Sequence, residues 1–171
     1  MTKRNAFILS LAFMLTGFLT AQAQSNFEVP QNAVLKTEAD FAKYEPAMIA
    51  AAKWLEETDL DKEQEKRQQT NAFVLEWISG SSTISVEINE QLGKIYGKNV
   101  QLLGLYLASY ASNFIENKGT ATKFTATKAG LASMMNVYKK GIDISKSKEM
   151  EKLIKLAAGN KLDDYINEYF K

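Results

Sequence analysis

Residues 99–117, NVQLLGLYLASYASNFIEN, decide the fold. Val100, Leu103, Leu107, Tyr110 and Phe114 recur at helical spacing and make one apolar stripe. Leu102, Leu105 and Tyr106 cover much of a second side. A helix that is apolar over most of its circumference needs neighbours all round it, so the segment is expected to be the central helix of a bundle. Gly104, Ala108 and Ser112, spaced four apart, would let one neighbour approach closely. A membrane span does not fit. Gln101, Asn113 and repeated Ser and Tyr interrupt a run already shorter than the roughly 20 apolar residues that hydrocarbon requires.

Working outward, the flanking segments read as amphipathic helices. Phe41, Tyr44, Met48, Ala51 and Leu55 define a helix over 38–57, with Thr37 and Asp40 as a capping pair and Pro46 expected to kink or restart it. A second helix is expected over 62–79, capped by Asp61. Its first half is wholly polar and its second half carries Phe73, Val74, Trp77 and Ile78. Trp54 and Trp77 are expected to meet in the core, with a ligand-stacking pair as the alternative. In residues 81–97, Ile84, Val86 and Ile88 alternate like a strand before Leu92, Ile95 and Tyr96 turn helical, so an extended segment and a short helix are expected. KGTATKFTATK, 118–128, reads as a linker. Helices over 127–140, 146–158 and 162–170 follow, the last two joined by a tight hairpin at AGNK. The expectation is a single-domain all-α bundle of five to six amphipathic helices over 37–171. At most a short β segment lies near 83–88, and an extended N-terminal arm covers 24–36, with Phe27, Val29 and Leu35 able to pack on the body.

The first residues carry a different message. Lys3 and Arg4 precede an uncharged apolar run from Ala6 to Leu19, and Ala21 and Ala23 occupy the small-residue positions of a cleavage site. This is the layout of a signal peptide spanning 1–23, and it implies an exported protein, periplasmic or secreted, with no stable membrane insertion after cleavage. The ending AQAQ, together with this leader and the helical texture that follows, resembles the small uncharacterised secreted proteins of Bacteroidetes-type bacteria. That resemblance implies no particular activity.

Composition narrows the chemistry. The chain of 171 residues has 21 basic and 20 acidic side chains; the leader holds two of the basic ones, which leaves the remainder close to neutral. Near-neutrality argues against a nucleic-acid partner. With no cysteine, stability rests on packing; with no histidine, the usual general base and commonest metal ligand are missing. No cofactor and no catalytic residue is expected. Asp59, Asp61 and Glu63 have the spacing of a calcium loop, but Gln64 stands where its glycine belongs and Thr70 where its bidentate Glu belongs. Ser145 and Lys148 spell S-x-x-K without the companion motifs, and Ser145 is expected to cap a helix instead. Glu76, Glu87, Glu90 and Glu116 are the acids a glycan hydrolase could pair.

The segment GSSTISVEIN offers the best interaction site, with Ser81, Thr83, Ile84, Val86 and Ile88 as its residues and a partner strand as one conceivable occupant. The opposing reading tucks its apolar residues into the bundle. The function expected is a non-catalytic exported binding protein whose partner is another envelope or secreted protein. The alternatives are a carboxylate-dependent hydrolase of envelope glycans, or a small inhibitor or immunity protein.

Overall fold

A computed structural model describes residues 27–170. The leader and the first three residues of the arm lie outside them. Seven helices follow in order: α1 Glu38–Glu57, α2 Gln64–Gly80, α3 Glu90–Tyr96, α4 Gln101–Glu116, α5 Lys123–Lys140, α6 Lys148–Ala158 and α7 Leu162–Tyr169. No strand occurs among the described residues, and 83–89 runs as irregular chain. The fold is therefore an all-α bundle, and the short helix expected within 81–97 is present as the seven-residue α3.

α4 is the central helix, packed on α5, α1 and α2. Its buried set includes Leu102, Leu105, Tyr106, Leu107, Ala108, Tyr110, Ala111 and Ile115. Val100 departs from the expected stripe. It precedes the helix and is 67% exposed. The small residues do their work one at a time. Gly104 faces Asn71 of α2, where a Cβ would strike the amide oxygen. Gly130 of α5 lies against Tyr106, where a Cβ would come within 2.6 Å of the ring and 2.9 Å of the backbone carbonyl.

Local chemistry sets the other boundaries. Thr37 and Asp40 form a reciprocal capping box, and α1 continues through Pro46 as one helix, so the expected restart does not occur. α5 begins four residues before the expected 127. Thr122 and Thr125 make a second capping box and turn half of the apparent linker into helix. Asp61 does not cap α2; that position is Glu63, in a left-handed conformation. Nor does Ser145 cap α6. Ser147 does, accepting from the Met150 N–H at 3.3 Å and donating to the Ile95 carbonyl at 3.0 Å. Ser145 is held instead by Asn99, which is buried: the Asn99 amide donates to the Ser145 carbonyl at 2.8 Å and accepts its N–H at 2.7 Å. In the last hairpin Asn160, not Gly159, takes the left-handed turn.

Candidate functional site

The largest departure from expectation in the helix bodies is Arg67. It sits in the polar first half of α2 but is only 4% exposed. Its guanidinium donates to the Leu55 carbonyl at 3.3 Å, to Thr58 at 2.7 Å and to Asp59 at 3.1 Å, closing the C-terminal end of α1. It also lies 5.5 Å from the centre of the Trp54 ring, with Lys66 at 4.9 Å. Phe27 of the arm packs on the same indole at 6.1 Å. Burial pulls the guanidinium pKa down while Asp59 and Glu63 oppose the fall. Arginine stays charged regardless.

Trp54 is therefore a structural indole held between an aromatic ring and two cations. Trp77 belongs elsewhere. Its ring meets Phe41 edge-on at 5.9 Å and its N–H donates to the Phe41 carbonyl at 3.1 Å. Both indoles are buried, as expected, but each has its own aromatic partner and they form no ring pair. Gly80 makes the Trp77 arrangement fit, since a Cβ there would lie 2.6 Å from the tip of Phe41.

Trp77 is joined by Ile84 of the following segment and by Phe114 and Ile115 of α4 around a cavity of about 440 Å³. Thr83, Ala121, Glu45 and Lys118 complete its wall. Lys118 Nζ meets the Glu45 carboxylate at 2.6 Å, placing an ion pair beside an apolar floor. The segment from 81 to 89 is pinned along its length. The Ser81 and Thr83 hydroxyls lie 3.1 Å apart, Ile84 is buried, and the Tyr110 hydroxyl donates to the Ser85 carbonyl at 3.0 Å. Burial, and secondarily the neighbouring Tyr106, pushes the Tyr110 phenol up to about 12, so it remains a donor at any physiological pH. Asn89 ends the segment by accepting from the Leu92 N–H and donating to the Tyr169 carbonyl at 2.8 Å.

The residues expected from sequence thus separate. Trp77, Thr83 and Ile84 come together at one cavity. Ser81 serves the turn, Val86 is half-buried against the core, and Ile88 is exposed. Trp54 stands with Arg67. Phe114, Ile115 and the Glu45–Lys118 pair belong to the site but were hidden in the sequence, the first two as core spacing and the pair by a separation of 73 residues.

The remaining candidates are occupied locally. Asp59 lies 3.5 Å from Lys140, Asp61 pairs with Lys62 and Glu63 with Lys66. Glu76, Glu87, Glu90 and Glu116 lie on four separate stretches of chain; Glu90 pairs with Lys94 at 2.7 Å and Glu116 accepts from Ser112 at 3.1 Å. The fold and site define an all-helical protein with an apolar-floored, ion-paired surface cavity. Comparison with family models, with curated proteins and with solved structures gives no match.

Proposed function

We propose that the protein is an exported, non-catalytic binding protein of the bacterial envelope or exterior. In this reading the cavity over Trp77 receives an apolar group of another envelope or secreted protein. One observation carries it: a cavity of about 440 Å³ combines an apolar floor of Trp77, Ile84, Phe114 and Ile115 with a charged rim of Glu45 and Lys118. Binding sites characteristically have this composition, with apolar area supplying affinity and a few polar groups fixing orientation. The leader supports the exported location, and the lack of histidine and cysteine supports a role without thiol or imidazole chemistry.

The test is comparative capture from an envelope extract with immobilised protein. The bait variants are Thr83→Arg and Ala121→Trp, which fill the cavity mouth from exposed or half-exposed positions. A remote surface variant, Lys155→Glu, serves as control. The expected result is one partner retained by wild type and by the control and lost from both cavity variants, with all four proteins melting cooperatively. Equal retention on all four baits would remove the cavity from the interaction.

A further inference from the structure

A second cavity, of about 450 Å³, runs between α1, α4 and α5 and shares no lining residue with the first. We infer that it is a binding site for a linear aliphatic polyamine. The inference does not depend on the cavity over Trp77.

The argument begins with helix direction. Glu45 of α1 meets Lys118, just beyond the end of α4, while Glu56 near the end of α1 accepts from the Asn136 amide of α5 at 2.8 Å. Thr125, at the start of α5, donates to Asn113, near the end of α4, at 3.0 Å. α4 therefore runs antiparallel to both α1 and α5. The C-terminal ends of α1 and α4 lie at opposite ends of the groove, and each helix places its last acidic residues there: Glu56 and Glu57 at one end, Glu116 at the other. Helix C-termini carry partial negative charge, which adds to these carboxylates.

Charge at the two ends is only partly met. Among the described residues, Lys53 is the one cation lining the groove, and it lies 3.7 Å from Glu57. Lys140 donates to the Glu56 and Glu57 backbone carbonyls and is balanced by Asp59. Lys118, beyond α4, is taken by Glu45. The groove is thus acidic at both ends. Matching Glu116 to the level of α1 two residues inward from Glu45 puts about nine residues between the ends. At about 1.5 Å per residue this corresponds to roughly 10–14 Å.

Between the ends the floor is narrow and uncharged, built from Ala52, Ser109, Ala129 and Ala132. This suits a methylene chain and offers no aromatic platform for a sugar ring. A second, independent feature points to a ligand one helical turn in from the Glu56 end of the groove. Ser133 lines the floor, is only 2% exposed, and its Oγ has no hydrogen-bond partner. A buried hydroxyl left unpaired is costly, and a central ammonium of the ligand would satisfy it. Terminal ammoniums would meet Glu56 and Glu116, whose bonds from Asn136 and Ser112 already orient the carboxylates.

Calorimetric titration with spermidine in about 0.15 M salt tests this, a salt level at which non-specific attraction between exposed charges is largely screened. Saturable one-to-one binding is expected. Glu56→Gln and Glu116→Gln should each weaken it roughly tenfold or more, the scale of one charge-assisted hydrogen bond. Ser133→Ala should weaken spermidine several-fold but leave 1,8-diaminooctane, which has similar length and no central nitrogen, unchanged. Ala132→Phe should abolish binding of both. Thermal melts establish that each variant is folded. The inference fails if spermidine gives no saturable heat at millimolar concentration. It fails equally if both Glu→Gln variants bind as wild type does, or if N-acetylglucosamine binds as tightly as spermidine.

Discussion

At the scale of single residues, Arg67 shows how a polar side chain in a polar run becomes part of the core. Its neighbours in sequence, Glu65, Gln68 and Gln69, are exposed; helical phase alone separates it from them, since Arg67 precedes Thr70, Val74 and Trp77 of the buried face by three, seven and ten residues. The cause is tertiary. The last carbonyls of α1 have no intrahelical partners, and the guanidinium takes the Leu55 carbonyl and, just past the helix end, those of Thr58 and Asp59, with its carbon 5.5 Å from the centre of the Trp54 ring. Removing it takes this donor from the Leu55 and Thr58 carbonyls, while Asp59 keeps the Lys62 N–H, and a shape-matched apolar group cannot replace the guanidinium because the acceptors belong to the backbone. Arg67→Met is expected to lower stability by about 2–4 kcal/mol, with Arg67→Lys intermediate because one ammonium cannot reach the same set of acceptors. Urea denaturation decides it, and a Met variant within experimental error of wild type would refute the capping role. The same contrast explains the indoles. Sequence spacing correctly places Trp54 and Trp77 in the interior, but which ring each touches depends on the arm for one and on Phe41 for the other.

At the scale of elements, legibility followed the chemistry of the termini. The start of α1 was readable because Thr37 and Asp40 form a recognisable pair. α5 was not, because its box uses Thr125 where a Glu or Gln is customary, and a stretch of Thr and Lys looks like linker. α1 also yields a pH prediction. The Asp40 carboxylate accepts from the Thr37 hydroxyl and from the backbone N–H groups of Thr37 and Lys36, at 2.9, 2.9 and 3.2 Å. These bonds, the Thr37 hydroxyl first, hold its pKa below the usual aspartate value, with Lys43 a smaller contributor. A folded pKa below the unfolded one means a contribution that is full above the ordinary value near 4 and fades as pH falls through the folded value. Asp40→Asn is therefore expected to lower the melting temperature at pH 7 and to converge on wild type as pH falls through the folded value, below the ordinary aspartate range. Thr37→Ala removes the other half of the box and should cost about 1 kcal/mol at neutral pH. Parallel pH–melting series on the three proteins test both statements, and a constant gap between Asp40→Asn and wild type down to low pH would count against the box.

At the scale of the whole molecule, the helical class and the central place of α4 were both legible, because a helix apolar on most sides admits few other arrangements. The cavities were only half legible. Thr83 and Ile84 were reachable by arguing from a loop between helices, whereas the groove edged by Glu56 and Glu116 arises from antiparallel packing that no local window contains. What fixes that packing is the closeness of α4 to α5, and the sequence hint lay in the small residues, though the decisive one is Gly130 on α5 and not the triplet on α4. Gly130→Ala poses two effects of opposite sign. Helix propensity favours alanine by about 1 kcal/mol. Against it, the new methyl would sit 2.6 Å from the Tyr106 ring and 2.9 Å from the Tyr106 carbonyl. A ring edge can shift by a few tenths of an ångström, but the backbone of the central helix cannot move without disturbing its contacts with α1 and α2. Overpacking of this kind costs about 1–3 kcal/mol, and with a backbone atom in the way it outweighs the roughly 1 kcal/mol that propensity returns, so the variant should be net destabilised. Tyr106→Leu in the same chain relieves the ring contact but not the carbonyl contact, so the double variant should lose less than the sum of the two single losses. A double-mutant cycle by chemical denaturation measures that coupling. Strict additivity would mean that α4 and α5 separate as bodies when the methyl is added; the groove between α1 and α5 would then widen, and spermidine titration of the Gly130→Ala protein would register the change.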